Sequence, residues 1–190
     1  GHTAPVVKLV AAYYGNCALF ADDKIKCWGE NGSGQLGIGD TERRGDEPRE
    51  MGANLPFVNL GETASVQNLV AGHAHTCALF TDHRIKCWGY NAAGALGTGD
   101  ASHRGTDASR MGDRLPFVDL GTGEQAIEIF AGGHTTCAIL AAGGFKCWGY
   151  NRYGESGYGS IRIRGSRPNY LGDRLPRGVL GSDVVVEELA

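Results

Sequence analysis

No apolar stretch in these 190 residues runs beyond seven or eight positions, and a helix that spans a bilayer needs roughly twenty. No charged-then-apolar leader precedes those stretches, so the chain reads as soluble, with no membrane partner expected. A basic excess is missing as well: 18 Lys and Arg stand against 21 Asp and Glu, for a formal charge of −3. With no long Lys/Arg run, phosphate contacts would have to come from a local patch, and nucleic acid is not an expected partner. Sustained helical periodicity is also lacking. No nucleophile and base, phosphate-cradling loop or carboxylate dyad emerges, so neither an enzyme nor a cofactor is expected. Against these absences, 42% hydrophobic residues and well-spread charge are ordinary for a globular chain.

What the sequence has in abundance is glycine, at 31 residues, placed at recurring positions. Cys17 to Gly29 returns as Cys77 to Gly89 and as Cys137 to Gly149, each sixty positions on. The register extends without a gap through Asn31, Asn91 and Asn151 and through Leu55-Pro56, Leu115-Pro116 and Leu175-Pro176. The chain divides into repeats at 1–60, 61–120 and 121–180, with 181–190 restarting a fourth. A fixed period of this size points to a solenoid, propeller or array.

Within each repeat, residues 5–12, 64–70 and 125–130 read as a first strand. Cys17–Phe20 and Lys24–Trp28 read as the second and third, joined by the loop Ala21-Asp22-Asp23. Opposing Cys17 to Cys27 makes Phe20 close on Lys24, which puts Asp23, His83 and Gly143 at the position of a three-residue hairpin that is usually left-handed. It also puts Cys17–Cys27 and Leu19–Ile25 at non-hydrogen-bonded sites on one face, where Cα atoms stand about 4.5 Å apart, within disulfide range. Gly-rich turns follow at 30–40, then a polar loop, then a short outer strand over 51–61 led by Pro56, a residue suited to a sheet edge. The expected fold is therefore all-β, with three four-stranded blades of an incomplete propeller.

Cys17, Cys27, Cys77, Cys87, Cys137 and Cys147 could be bridges, buried thiols or metal ligands. C-x9-C on a hairpin is the wrong spacing for zinc, so the pairs Cys17–Cys27, Cys77–Cys87 and Cys137–Cys147 are favoured as disulfides, which implies an oxidising compartment. No metal site is expected. Trp28, Trp88 and Trp148, beside Gly29, Gly89 and Gly149, recur strictly enough to serve inter-blade packing more readily than ligand stacking. Asn31, Asn91 and Asn151 are structural by the same recurrence. His73, His75 and His134 could line a central channel and bind a metal or ligand, but they do not share one repeat position and read as turn histidines hydrogen-bonded to backbone. Asp40, Asp46, Glu47, Asp100 and Asp107 could attract calcium, yet the third repeat has Ser160 and Ser166 there, so a solvated loop is expected. Arg44-Gly45-Asp46 becomes Arg104-Gly105-Thr106 and Arg164-Gly165-Ser166 in the other repeats, which argues against an adhesion motif.

Ala71-Gly72-His73-Ala74-His75-Thr76-Cys77-Ala78-Leu79, Ile85-Lys86-Cys87-Trp88-Gly89-Tyr90-Asn91 and Gly94-Ala95-Leu96-Gly97-Thr98-Gly99 resemble the repeat of the regulator of chromosome condensation family, and the resemblance covers all three repeats. It implies blades of the kind that form seven-bladed propellers in the best-known members, some of which are exchange factors for Ran-type GTPases that also bind chromatin. Many relatives, particularly bacterial ones with the Cys-Ala-Leu and Cys-Trp-Gly variants and a long Met-Gly-Asp-x-Leu-Pro loop, have no assigned activity. The third repeat departs from the pattern at Glu155-Ser156-Gly157 and Arg177-Gly178. Three blades cannot close a ring, so the open edges are expected to self-associate, for instance as six blades in a dimer, unless the chain is cut from a longer propeller. The functional expectation is a non-catalytic binding or scaffold module, extracellular or on a cell surface. Its partner, a protein or surface ligand, would be met through the loops 40–54, 100–114 and 160–174. An intracellular exchange factor or chromatin adaptor and an excised fragment without function are the alternatives.

Overall fold

A computed structural model describes residues 2–181. These form nine strands in three antiparallel sheets, with no α-helix among the described residues. The first sheet is β1 (Val6–Ala11), β2 (Gly15–Phe20) and β3 (Ile25–Gly29). The second is β4 (Val66–Ala71), β5 (His75–Phe80) and β6 (Ile85–Gly89). The third is β7 (Ala126–Gly132), β8 (Thr135–Leu140) and β9 (Phe145–Gly149). An extra strand expected at 184–190 lies outside the described residues.

The hairpin register follows from its loop. Phe20 N–H donates to the Lys24 carbonyl at 2.9 Å, and Cys17 lies opposite Cys27 and Leu19 opposite Ile25. Asp23, His83 and Gly143 have φ of 65°, 68° and 84°, the left-handed geometry that such a loop demands at its last residue.

The expected fourth strand is a correction: among the described residues each sheet has three strands. Where an outer strand was expected, the chain makes only isolated contacts, with Lys86 bridging Phe117 and Phe145 bridging Gly178, and Val58 N–H donating to the Ile25 carbonyl at 2.9 Å. The reason lies in Pro56, Pro116 and Pro176, which carry no N–H and prevent the ladder from running on toward the loop.

Strand alternation gives each sheet two apolar faces. One carries the cysteines (Cys17, Leu19, Ile25, Cys27), the other the tryptophan (Leu9, Ala18, Phe20, Trp28). The cysteine face of the first sheet packs on the tryptophan face of the second, in a core that includes Leu36, Leu69, Phe80, Trp88 and Met111. The second sheet covers the third in the same sense through Leu79, Leu96, Ile129, Leu140 and Trp148. Loops interlock at these seams. Gly34 and Gly105 approach so closely that a Cβ on Gly105 would stand 2.2 Å from the Gly34 carbonyl oxygen, so no larger residue fits there.

Candidate functional site

The long loops are fastened at both ends by buried polar side chains. Asn91, fully buried, accepts the Leu96 N–H at 2.9 Å, and its amide donates to Thr98 Oγ1 at 3.0 Å and to the carbonyls of Asp100 and Ser102 at 2.9 and 3.2 Å. Asn31 does the same for Leu36, Asp40 and Glu42, and Asn151 for Ser156, Ser160 and Arg162. Backbone bridges from Gly29, Gly89 and Gly149 to Arg44, Arg104 and Arg164 hold the next turn.

A lysine from the centre of each third strand secures the far end. Lys86 Nζ donates to the Leu60 and Gly112 carbonyls at 2.7 and 3.0 Å, and burial pushes its pKa down. Lys146 Nζ does likewise to Leu120 and Gly172 at 2.5 and 3.1 Å. These lysines escaped the sequence reading, although a Lys recurring inside an apolar run at a sixty-residue interval is the signal that would have found them.

Between these fasteners the loops rise to exposed tips, with short 3-10 turns at Gly52–Asn54, Ala108–Arg110, Gly112–Arg114, Pro168–Tyr170 and Gly172–Arg174. Their acids mostly hold the loops together. Asp40 and Asp100 pair with Arg44 and Arg104 at 2.7 and 2.5 Å. Burial pushes the Asp100 carboxyl up, but the Ser102 N–H and the Arg104 guanidinium together hold it below its ordinary value. Asp107 accepts the Ser109 N–H at 2.6 Å. In the third repeat, where Ser160 replaces the acid, Arg164 lies 5.2 Å over the Tyr158 ring instead. No group of three or more His, Cys, Asp or Glu among the described residues is arranged to hold a metal ion.

The cysteine sulfurs stand at disulfide distance, 2.04 Å for Cys17–Cys27, 2.11 Å for Cys77–Cys87 and 2.07 Å for Cys137–Cys147. Trp88 and Trp148 cross the inter-sheet seams, their indole N–H groups donating to the Gln35 and Ala95 carbonyls at 3.1 and 2.9 Å.

The histidines are not backbone-bonded turn residues as expected. His75 is fully buried and its Nε2 meets Thr136 Oγ1 of the next repeat at 2.9 Å. Burial, reinforced by His134 and His73, pushes its pKa down to about 3, so the ring is neutral. His73 stacks on Tyr13 at 4.7 Å and lies 4.8 Å from His134, which in turn meets Tyr90. Ring packing across the seams, invisible to a comparison of repeat positions, brings them together.

The profile described as regulator of chromosome condensation (RCC1) repeat matches residues 6–35, 66–95 and 126–155, and a second profile of the same description matches 22–79. The ultraviolet-B receptor UVR8 of Arabidopsis thaliana is 28% identical over 158 residues, 82% of this chain and 32% of its own length. The chain thus spans about a third of that relative. The solved structure of human WBSCR16 superposes with a TM-score of 0.64 over 95% of this chain and 41% of that one, at 19% identity. Yeast RCC1 (Prp20), solved bound to Kap60, gives 0.63 over 86% and 36% at 20% identity; at these identities both likenesses speak for the fold alone.

Proposed function

Since the chain belongs to the regulator of chromosome condensation (RCC1) repeat family, we propose that it is a non-catalytic recognition module whose long loops meet a protein or a surface-borne ligand. The observation that carries this reading is the contrast between fasteners and tips. The Asn side chains and the Gly–Arg backbone bridges hold each loop in the same way, while the tips differ in charge. Residues 41–50 carry four carboxylates against three arginines, whereas 161–170 carry Arg162, Arg164 and Arg167 and no carboxylate. Variable loops on a rigid frame are where recognition resides. A partner bearing positive charge toward the first loop and negative charge toward the third would complement this gradient.

The test is capture of partners by the whole chain, followed by charge reversal at the tips, Glu47→Arg with Glu50→Arg and Arg162→Glu with Arg167→Glu. The expected result is loss of the captured partner from both variants with the fold retained by circular dichroism. Retention indifferent to tip charge would sink the reading.

The three cysteine pairs support a further part of the proposal, that they are bridged and that the module works in an oxidising compartment, extracellular or at a cell surface. Intact mass after thiol alkylation should show the loss of six hydrogens and no added alkyl group. Six alkylated thiols would reject it.

A further inference from the structure

We propose that the chain assembles head to tail with a second copy of itself, the cysteine face of the third sheet in one copy docking on the exposed tryptophan face of the first sheet in the other. This surface is separate from the loop tips, and its assignment does not rest on their function.

The first sheet opens on a groove of about 390 Å³ lined by Val6, Leu9, Phe20, Trp28, Met51 and Leu55, with Leu9 66% exposed. Each of these six has the identical residue sixty positions on, and there the face is covered by the first repeat. The groove is thus a copy of an interface seen in use within the same chain. Its polar fittings are likewise half made. Trp28 has no acceptor for its indole N–H among the described residues, whereas Trp88 and Trp148 donate to carbonyls of the preceding repeat. Lys26 Nζ reaches only the Gly52 carbonyl, at 2.5 Å, whereas Lys86 and Lys146 each gain a second carbonyl, Leu60 or Leu120, from the repeat before.

The other end of the chain carries the missing halves. Glu155 and Leu180 offer the carbonyls equivalent to Gln35/Ala95 and Leu60/Leu120. Gly154 has φ +84° with nothing within 4 Å of where its Cβ would stand. At the same position in the first two repeats, a Cβ on Gly34 or Gly94 would stand only 2.4 or 2.3 Å from the backbone of the following repeat. At Gly45, the position that would receive Gly154, the atoms nearest to an added Cβ are those of Met51 and Trp28 of its own repeat, at 3.2 and 3.6 Å.

Charge selects the occupant. On the first strands, Lys8 Nζ donates to Asn68 Oδ1, and Asn68 Nδ2 donates to Glu128 Oε1. This ladder begins on a cation and ends on an anion, so a head-to-tail neighbour would place its Glu128 beside Lys8 and continue it with an ion pair. Head-to-head or tail-to-tail contact would oppose like charges. The third sheet is more polar than the inner ones: Ser156 stands for Leu36, and the Tyr158 hydroxyl accepts the Cys147 N–H at 2.6 Å. Its docking is accordingly weaker than the inner seams and depends on concentration.

The experiment is sedimentation of the 190-residue chain over a concentration series, with three variants. Leu9→Glu spoils the head and leaves the tail intact. Gly154→Asn spoils the tail, since Asn tolerates positive φ while its side chain fills the space that the neighbour needs. Ile161→Glu, at a residue 70% exposed on the third loop and outside the groove, is the control. The wild type and Ile161→Glu should associate with rising concentration, and each of the other two should stay monomeric alone. A mixture of Leu9→Glu with Gly154→Asn should form a one-to-one dimer, because one intact tail meets one intact head. A wild type that is monomeric throughout overturns the proposal, as does a mixture that fails to dimerise, or association that survives Leu9→Glu.

Discussion

Replacing Asn91 with alanine removes the fastener of the central loop and leaves identifiable groups behind. The Leu96 N–H, which now meets Asn91 Oδ1 at 2.9 Å, belongs to a residue with no exposed surface, so no water replaces the lost acceptor. A buried donor left in that condition costs about 1–3 kcal/mol. Ser102 is exposed, so its carbonyl regains a partner from solvent, and that bond and the one to Asp100 together account for about 1–2 kcal/mol net. The sum expected for Asn91→Ala is about 2–5 kcal/mol, a large share of the stability of a small domain. Asn91→Asp separates the two contributions. The introduced carboxylate still accepts the Leu96 N–H but faces the Asp100 and Ser102 carbonyls without a proton to donate. Its folded-state pKa is therefore raised, so the variant recovers stability as pH falls and loses it as pH rises through that value. Urea titrations of the two variants and the wild type at several pH values read both effects as midpoint shifts at constant slope. An alanine variant within about 1 kcal/mol of wild type, the level of a surface substitution or a solvent-replaced hydrogen bond, would refute the reasoning.

Three other outcomes follow from the same geometry. His75 has a folded-state pKa of about 3, below its unfolded value near 6.5, so the unfolded chain takes the proton. Stability, full above pH 6.5, should fall on acidification by up to about 1.4 kcal/mol per unit from this group, and His75→Gln should flatten that slope in pH-dependent denaturation. Gly105→Ala should cost about 3 kcal/mol or more through its clash at the Gly34 carbonyl, measured by thermal unfolding. Gly45→Ala, at nearly the same φ of 96° but without a facing repeat, should cost only the 1–2 kcal/mol or so of left-handed strain. Replacing Cys77 and Cys87 together by alanine should remove about 2.7 kcal/mol on the chain-entropy estimate for a loop of this length, read in the same titrations; an unchanged midpoint would show that the pair is not bridged.

Much of each sheet was legible because the hairpin carries its own constraints. The spacing of Cys17 and Cys27 set the pairing, the pairing set the loop, and the loop called for residues that accept positive φ, which Asp23, His83 and Gly143 supply. The outer strand was overread, because an apolar segment after proline looks like a strand whether or not its backbone finds a ladder. At the loops, Asn31, Asn91 and Asn151 stood out by recurrence, but their role as loop fasteners depends on bonds to residues five to eleven positions away, which periodicity does not reveal. The Lys8–Asn68–Glu128 ladder was hidden for the opposite reason. Its members share a repeat position but differ in type, and only the stacking of the sheets turns that difference into a gradient. The same applies to His73 and His134, whose rings meet across a seam from unequal positions.

One asymmetry is central to the molecule: the second and third tryptophan faces are each covered by the repeat before, and the first is left open among the described residues. Hydroxyl-radical footprinting of the three tryptophans in dilute solution tests it most directly. The structure predicts rapid oxidation of half-buried Trp28 and protection of Trp88 and Trp148, which are 0% and 1% exposed. Equal oxidation of all three, or protection of Trp28 in the dilute monomer, would contradict it.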